Sequence, residues 1–259
     1  MELPFQLIST DFDGTVFSEF ERQPVPPGLQ QLLADLQARG ARWVINTGRD
    51  LTSLLEAMAR ARLTVQPDFL VLVEREIHVR DGASFNPLEP WNSRCAADHA
   101  QLFAEVAADV PRLAAWVRER FEAAVYADPW SPFCLVARRN SDADVIHAWL
   151  NDYCAGVPNL TVVRNDVYAR FSHAAYSKGS ALGEICRGLG VSPERVFAAG
   201  DHLNDLPMLS RERARWLAAP ANAIPAVKEA VRAGGGFVAT LPAGLGVEQA
   251  LIWALETAR

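Results

Sequence analysis

Asp11 and Asp13 flank Phe12 where a short apolar run, Phe5-Gln6-Leu7-Ile8-Ser9, gives way to Gly14 and Thr15. If the chain turns after Asp11, a turn that Gly14 permits, both carboxylates face a common site. One carboxylate can then attack phosphorus and form an aspartyl phosphate, splitting a difficult displacement into two easier steps. The other can protonate the departing oxygen and afterwards activate water. Taken singly, Asp-Gly-Thr after a strand also suits a turn or a helix cap.

Three further stretches supply what such chemistry needs. Asn46-Thr47-Gly48-Arg49 offers a hydroxyl and backbone N–H groups just before a helix, a favourable place for phosphate oxygens. Asn46 and Arg49 fit either the same cradle or solvent. In Gly200-Asp201-His202-Leu203-Asn204-Asp205, two carboxylates bracket an amide able to hold a phosphate oxygen or orient a neighbour. Such a loop is either solvated surface or, if Asp201 faces Asp11 and Asp13, part of an octahedral magnesium shell with phosphate and waters. Like charges ~4 Å apart repel by about 4 kcal/mol at an effective dielectric of ~20, so these aspartates and an anionic phosphate require a divalent cation and an ammonium. Lys178, beside Gly179 at the start of a helix, provides the ammonium if it points inward.

The elements that must position these groups follow from the apolar pattern. Phe5 to Ser9, Arg42 to Ile45 and Asp68 to Val73 read as strands. Pro26 and Pro27 open a helix with Leu29, Leu32, Leu33 and Leu36 on one face, stopped at Gly40, and Leu51, Leu54, Leu55 and Met58 mark a second. After Val73 the rhythm changes to a hairpin turning at Asp81-Gly82. From Phe85 to Ala174 the pattern predicts helices at Ala96 to Ala108 and Arg112 to Phe121, broken at Pro111. It continues with a strand at Phe133 to Arg138, a helix at Asp142 to Tyr153, and strands at Leu160 to Arg164 and Val167 to Phe171. The alternation resumes with a helix after Lys178, a strand at Arg195 to Ala199, a strand at Arg215 to Ala218, a helix at Ile224 to Arg232, a strand at Phe237 to Ala239, and a closing helix from Val247. The expected fold is α/β, a doubly wound, mostly parallel sheet, with ligands outside the strand carboxyl ends. Residues 1–85 and 175–259 form this core, and 86–174 form an inserted α+β domain.

Composition bounds the function. Of 259 residues 50% are hydrophobic and 22% charged, with no low-complexity tract, which describes an ordered globular chain with a sizeable core. The net charge of -6 argues against tracking along a nucleic acid. Cys95, Cys134, Cys154 and Cys186 form no CxxC pair and read as buried free thiols. With no signal-peptide pattern and no long apolar window, a soluble cytoplasmic protein without a membrane partner is expected.

The four motifs, in this order and at these strand and helix ends, resemble the haloacid dehalogenase superfamily of aspartate-nucleophile phosphatases. The long insertion resembles the cap of its type IIB members, which include Cof-type and sucrose-phosphatase-like enzymes. That resemblance implies a Rossmann-like core with a cap domain, and assigns Asp11 as nucleophile and Asp13 as general acid and base. It assigns Thr47, Gly48, Lys178 and Asn204 to the transferring phosphoryl group. It places Mg2+ on the Asp11 carboxylate, the Asp13 backbone carbonyl and Asp201, with Asp205 behind them. The implied activity is Mg-dependent hydrolysis of a small phosphomonoester, a sugar or polyol phosphate. A phosphotransferase or mutase using the same phosphoaspartate, and a non-catalytic binding module for a phosphorylated metabolite, are the alternatives. Glu74-Arg75-Glu76 departs from the Asn-Gly-Ala of Cof-type chains, and Val73 to Ile77 lies closer to the Val-Gly-Thr-Glu-Ile run of the sucrose-phosphatase-like branch. The cap is expected to close over the site, with Arg138, Arg139, Arg170, His173 and Tyr176 as its substrate-facing candidates by type.

Overall fold

The structure, a computed structural model, describes residues 3–258. In chain order its first stretch holds β1 (Leu7–Thr10), α1 (Pro27–Ala38), β2 (Arg42–Asn46), α2 (Leu51–Arg60), β3 (Phe69–Leu72), β4 (Glu76–Asp81) and β5 (Ser84–Pro87). Then come α3 (Trp91–Val106), α4 (Val110–Arg120), β6 (Ala123–Asp128), β7 (Ser131–Ala137), α5 (Asn140–Ala155), β8 (Leu160–Asn165) and β9 (Tyr168–His173). The last stretch holds α6 (Lys178–Leu189), β10 (Val196–Ala199), β11 (Trp216–Ala219), α7 (Pro225–Ala233), β12 (Phe237–Val238) and α8 (Ala243–Thr257). Two compact units result, residues 3–88 with 177–258, and Glu89–Tyr176.

The larger unit is α/β. Its sheet runs β12-β11-β10-β1-β2-β3-β4-β5, parallel from β12 to β3 and antiparallel beyond. All four residues of β1 are buried, as expected of a central parallel strand covered on both faces. The chain leaves β1 toward β2 and β3 on one side and returns as β10, β11 and β12 on the other, so the order reverses at β1. Such a reversal opens a crevice outside the strand carboxyl ends. Register aligns those ends, because Thr10 pairs with Ile45 on β2 and with Ala199 on β10. Asp11, Asn46 and Gly200 therefore leave the sheet at one level.

Fully buried Phe5, Phe12, Trp43 and Phe197 lie among the largest core side chains, and Leu29, Leu33 and Leu36 turn the inner face of α1 onto them. Asp68 ties the start of β3 to its neighbours. It accepts from Trp43 N at 2.9 Å, Gln37 Nε2 at 2.7 Å and Arg42 Nη1 at 2.8 Å. In the β3–β4 hairpin Arg75 N donates to Leu72 O at 2.9 Å, and Val73 and Glu74 take φ of 45° and 69°. That left-handed pair suits Asn-Gly better than a β-branched residue and a glutamate.

The smaller unit has its own core. An antiparallel sheet β6-β7-β9-β8 turns Phe133 and Leu135 of β7 and Phe171 of β9 toward Leu102, Leu113, Val117, Ile146 and Leu150 of its helices. Trp116 and Trp149 stack at 3.8 Å. The alternation of a strand sends Cys134 and Arg170, which pair across β7 and β9, to the other face. Arg138 pairs with Glu122 at an exposed site, and the Tyr176 hydroxyl donates to Asp98 Oδ2.

Three local expectations change. Pro111 does not break a helix; it lies in the first turn of α4, where a missing N–H costs nothing. Strand β6 is an addition to the expected elements, because Ala-Ala-Val-Tyr-Ala-Asp is half exposed and carries little periodic signal. Helix α8 begins at Ala243, not Val247, since the small residues of its first turn carry no apolar stripe. All four cysteines are free and buried, as expected. Among the described residues no helix is long and apolar enough to cross a membrane.

Asp68→Ala strands several donors at once, of which the Trp43 amide is buried. We expect a loss of about 2 kcal/mol in urea unfolding, with the cooperative slope retained. A change below ~0.5 kcal/mol would show that these bonds are replaced by water without cost.

Candidate active site

Asp11 follows β1 and is 3% exposed, and its N donates to Ala199 O at 2.9 Å, binding it to the end of β10. After β10 the chain turns through Gly200, where a Cβ would lie 2.4 Å from the Asp205 Cβ, so glycine is needed for this approach. A short 3-10 turn, Leu203–Asp205, then folds the acidic loop back. Asp11, Asp201 and Asp205 each offer a carboxylate oxygen within 4.8 Å of one another.

Lys178 penetrates this cluster. Ser177 caps α6 by accepting from Ser180 N, which sets Lys178 at the first helical position. Its Nζ donates to Asp11 Oδ1 and Asp205 Oδ1, both at 2.6 Å, and the side chain is fully buried. Asn46 Nδ2 donates to the Lys178 carbonyl at 3.0 Å, locking the helix start to the end of β2. Gly179 lets the helix approach the acidic loop, because a Cβ there would meet Pro207 O at 2.0 Å.

The electrostatics are unbalanced. Desolvation by burial, the Asp205 charge and the Asp201 charge raise Asp11 well above the ordinary carboxylate value, although Lys178 opposes them. Burial and Asp205 push Asp201 up to about 6, against a hydrogen bond from Thr15 Oγ1 at 2.7 Å. Burial alone would pull Lys178 down, but Asp11, Asp205 and Glu74 outweigh it and hold the ammonium above its ordinary value. One lysine thus leaves negative charge uncompensated among three carboxylates.

Asp205 is already engaged. Its Oδ1 accepts from Lys178, and its Oδ2 accepts from Asp201 N at 2.8 Å and His202 N at 2.9 Å. Asp11 and Asp201 are the carboxylates with capacity to spare, and Asn204 Oδ1 is buried without a hydrogen-bond partner. An all-oxygen donor set with surplus negative charge fits a hard divalent cation such as Mg2+.

The carboxylate of Asp13 lies outside the cluster. Arg49 grips it through Nε to Oδ2 and Nη2 to Oδ1, both at 2.7 Å, so the Arg49 open at the sequence level belongs to the site. Thr47 is buried, its N donates to Val71 O at 2.8 Å, and its Oγ1 accepts from Arg49 N at 3.2 Å. Gly48 faces Glu74, whose Oε1 lies 3.2 Å from where a Cβ would be. That same oxygen accepts from Asn204 Nδ2 at 2.9 Å. Two contacts had no assigned role from sequence: Thr15 on Asp201, and Glu74 on Asn204. For Thr15 a signal existed, since a hydroxyl two residues beyond Asp13 can reach across the loop. For Glu74 none did, because only the left-handed turn aims it inward.

A family model described as sucrose-6F-phosphate phosphohydrolase matches residues 4–123, and one described as haloacid dehalogenase-like hydrolase matches 123–236. A phosphoglycolate phosphatase of Methanoculleus marisnigri is 37% identical over 71 residues, which cover 27% of this chain and only 29% of that relative. The sucrose-phosphatase of Synechocystis sp. PCC6803, solved in complex with sucrose and phosphate, superposes with a TM-score of 0.73 at 18% identity, over 97% of this chain and 98% of that one. A haloacid dehalogenase-like hydrolase of Bacteroides thetaiotaomicron gives 0.63 at 17%, over 96% and 99%.

The raised carboxylates carry a sign for pH. Asp11 and Asp201 hold protons more tightly folded than unfolded, so the metal-free protein gains stability as pH falls through about 6 and loses it as pH rises. In chelator, the thermal midpoint should fall between about pH 5 and pH 7.5, and Asp201→Asn should flatten that fall. An identical slope in wild type and variant would contradict the crowding of these charges.

Proposed function

We propose that the chain is a type IIB phosphatase of the haloacid dehalogenase superfamily and that it hydrolyses a small phosphomonoester, a sugar or polyol phosphate, with Mg2+ through an Asp11 phosphoenzyme. The observation that carries the reading is the convergence of Asp11, Asp201 and Asp205 on one point with Lys178 among them.

Asp11 Oδ attacks phosphorus, the P–O bond to the leaving group breaks, and Asp13 gives its proton to the departing oxygen. Asp13 then takes a proton from water as that water attacks the phosphoaspartate, which releases phosphate, restores the Asp11 carboxylate and returns Asp13 to its acid form. Arg49 holds both Asp13 oxygens outside the crowded cluster, so one of them must leave the guanidinium before Asp13 exchanges protons with the leaving oxygen and with water. Thr47 Oγ1, Gly48 N, Lys178 Nζ and an Asn204 amide hydrogen hold the transferring phosphoryl oxygens in this reading. Asp11, Asp201 and the Asp13 carbonyl would hold Mg2+, which when bound neutralises the approaching anion. Asp205 acts on Lys178 and on the loop N–H groups, not on substrate.

The sucrose-6F-phosphate model over the first half, and a structural relative solved with sucrose and phosphate, support a sugar phosphate as the substrate class. We assign discrimination of the leaving group to the inserted cap domain, Glu89–Tyr176.

Asp11→Asn is nearly isosteric and removes the nucleophile. Phosphate release from a panel of sugar and polyol phosphates, with and without magnesium, should fall at least about 10³-fold while the circular dichroism spectrum stays that of wild type. Release at a rate near wild type would sink the phosphoenzyme.

A further inference from the structure

The segment between β11 and α7 touches both acidic loops, though no motif above includes it. Asn222 Nδ2 donates to Gly14 O at 2.8 Å, and Asn222 Oδ1 accepts from Ala243 N at 2.7 Å. A carbonyl on one side and an N–H on the other fix which end of the amide faces which partner. Two residues on, Ile224 N donates to Asp201 O at 3.0 Å. One short loop therefore holds the backbone of the Asp11–Thr15 turn and the backbone of Asp201.

The two held points nearly touch. Gly14 has φ of 74°, and a Cβ there would lie 2.6 Å from Asp201 Oδ2. Thr15 Oγ1 closes the same gap at 2.7 Å from Asp201 Oδ1. The third anchor is rigid as well. At Gly244, beside Ala243, a Cβ would meet Val16 O at 2.8 Å and Pro26 Cδ at 2.5 Å, so the start of α8 packs directly on the strand-end loop. Lys228 of α7 donates to Ala221 O at 2.6 Å and steadies the loop from its far side.

We propose that Asn222 is a positioning residue: its amide pins the Gly14 carbonyl to the start of α8, and with the Ile224 N–H on Asp201 it sets the spacing between the two carboxylate-bearing loops. Repelling carboxylates push those loops apart when no cation lies between them. The clasp opposes that push, so the cation site is in place before the cation arrives. This inference rests on the cation-dependent reading of the site.

Asn222→Asp separates loop positioning from helix support. Its carboxylate still accepts from Ala243 N and suits the start of a helix, but it faces the Gly14 carbonyl with an oxygen where a donor stood. Asn222 is exposed, so the change opens no cavity. We expect three results: a thermal midpoint like that of wild type, amide hydrogen exchange over residues 12–17 of the metal-free protein faster by about fivefold to tenfold, and a Mg2+ requirement for half-maximal turnover raised by a similar factor. KM for the ester at saturating Mg2+ should stay within about twofold, because the substrate meets the same assembled site. Asn222→Ala, which loses both bonds, should reproduce the exchange and Mg2+ effects with a lower midpoint. Wild-type exchange over 12–17 in Asn222→Asp overturns the proposal, as does an unchanged Mg2+ requirement. If wild type itself showed no Mg2+-dependent turnover, the phosphatase reading would fall, and the exchange comparison would still decide the role of Asn222.

Discussion

A fully buried ammonium among three carboxylates is the constraint around which the larger unit is built. Lys178 reaches Asp11 and Asp205 at 2.6 Å each, at the start of a helix whose dipole disfavours a cation there. The position is poor for α6 and good for the cluster. Neighbouring choices follow from keeping that ammonium in place: Ser177 caps the helix, Asn46 holds the Lys178 carbonyl, and Gly179 allows the Pro207 carbonyl to approach. Even so the charges do not balance, and burial magnifies the deficit because water cannot screen it.

The sheet makes this crowding possible. Reversal of strand order at β1 places three loops side by side, and the pairing of Thr10 with both Ile45 and Ala199 puts them at one height. Few residues need do chemistry once backbone geometry has delivered them. Much of the remaining work is restraint: Arg49 keeps the Asp13 carboxylate out of the cluster, and Asp205 spends both oxygens on Lys178 and on loop amides. A side chain that organises its neighbours is as necessary here as one that would meet substrate.

Parts of this were legible in the sequence for a definite reason. Short apolar runs that stop at Asp11, Asn46 and Gly200 announce strands ending in polar loops, and a lysine beside a glycine at a helix start has few better explanations once those loops are seen. What stayed hidden depended on register and on turn handedness. Asp68 reads as a strand residue, and only pairing shows it collecting donors from Gln37, Arg42 and Trp43. Glu74 reads only as part of the charged run Glu74-Arg75-Glu76, yet φ of 69° turns it toward Asn204. Pro111 was misleading because a proline that ends one helix and a proline that begins the next look alike without the intervening backbone.

Calorimetric titration of Mg2+ into the metal-stripped protein tests the central electrostatic claim most directly. Surplus charge on Asp11 and Asp201 predicts one saturable site per chain, with protons released on binding and more released near pH 6 than near pH 7.5, because the cation displaces protons those carboxylates retain. Absence of saturable heat at millimolar Mg2+, or binding with no proton release at either pH, would contradict it.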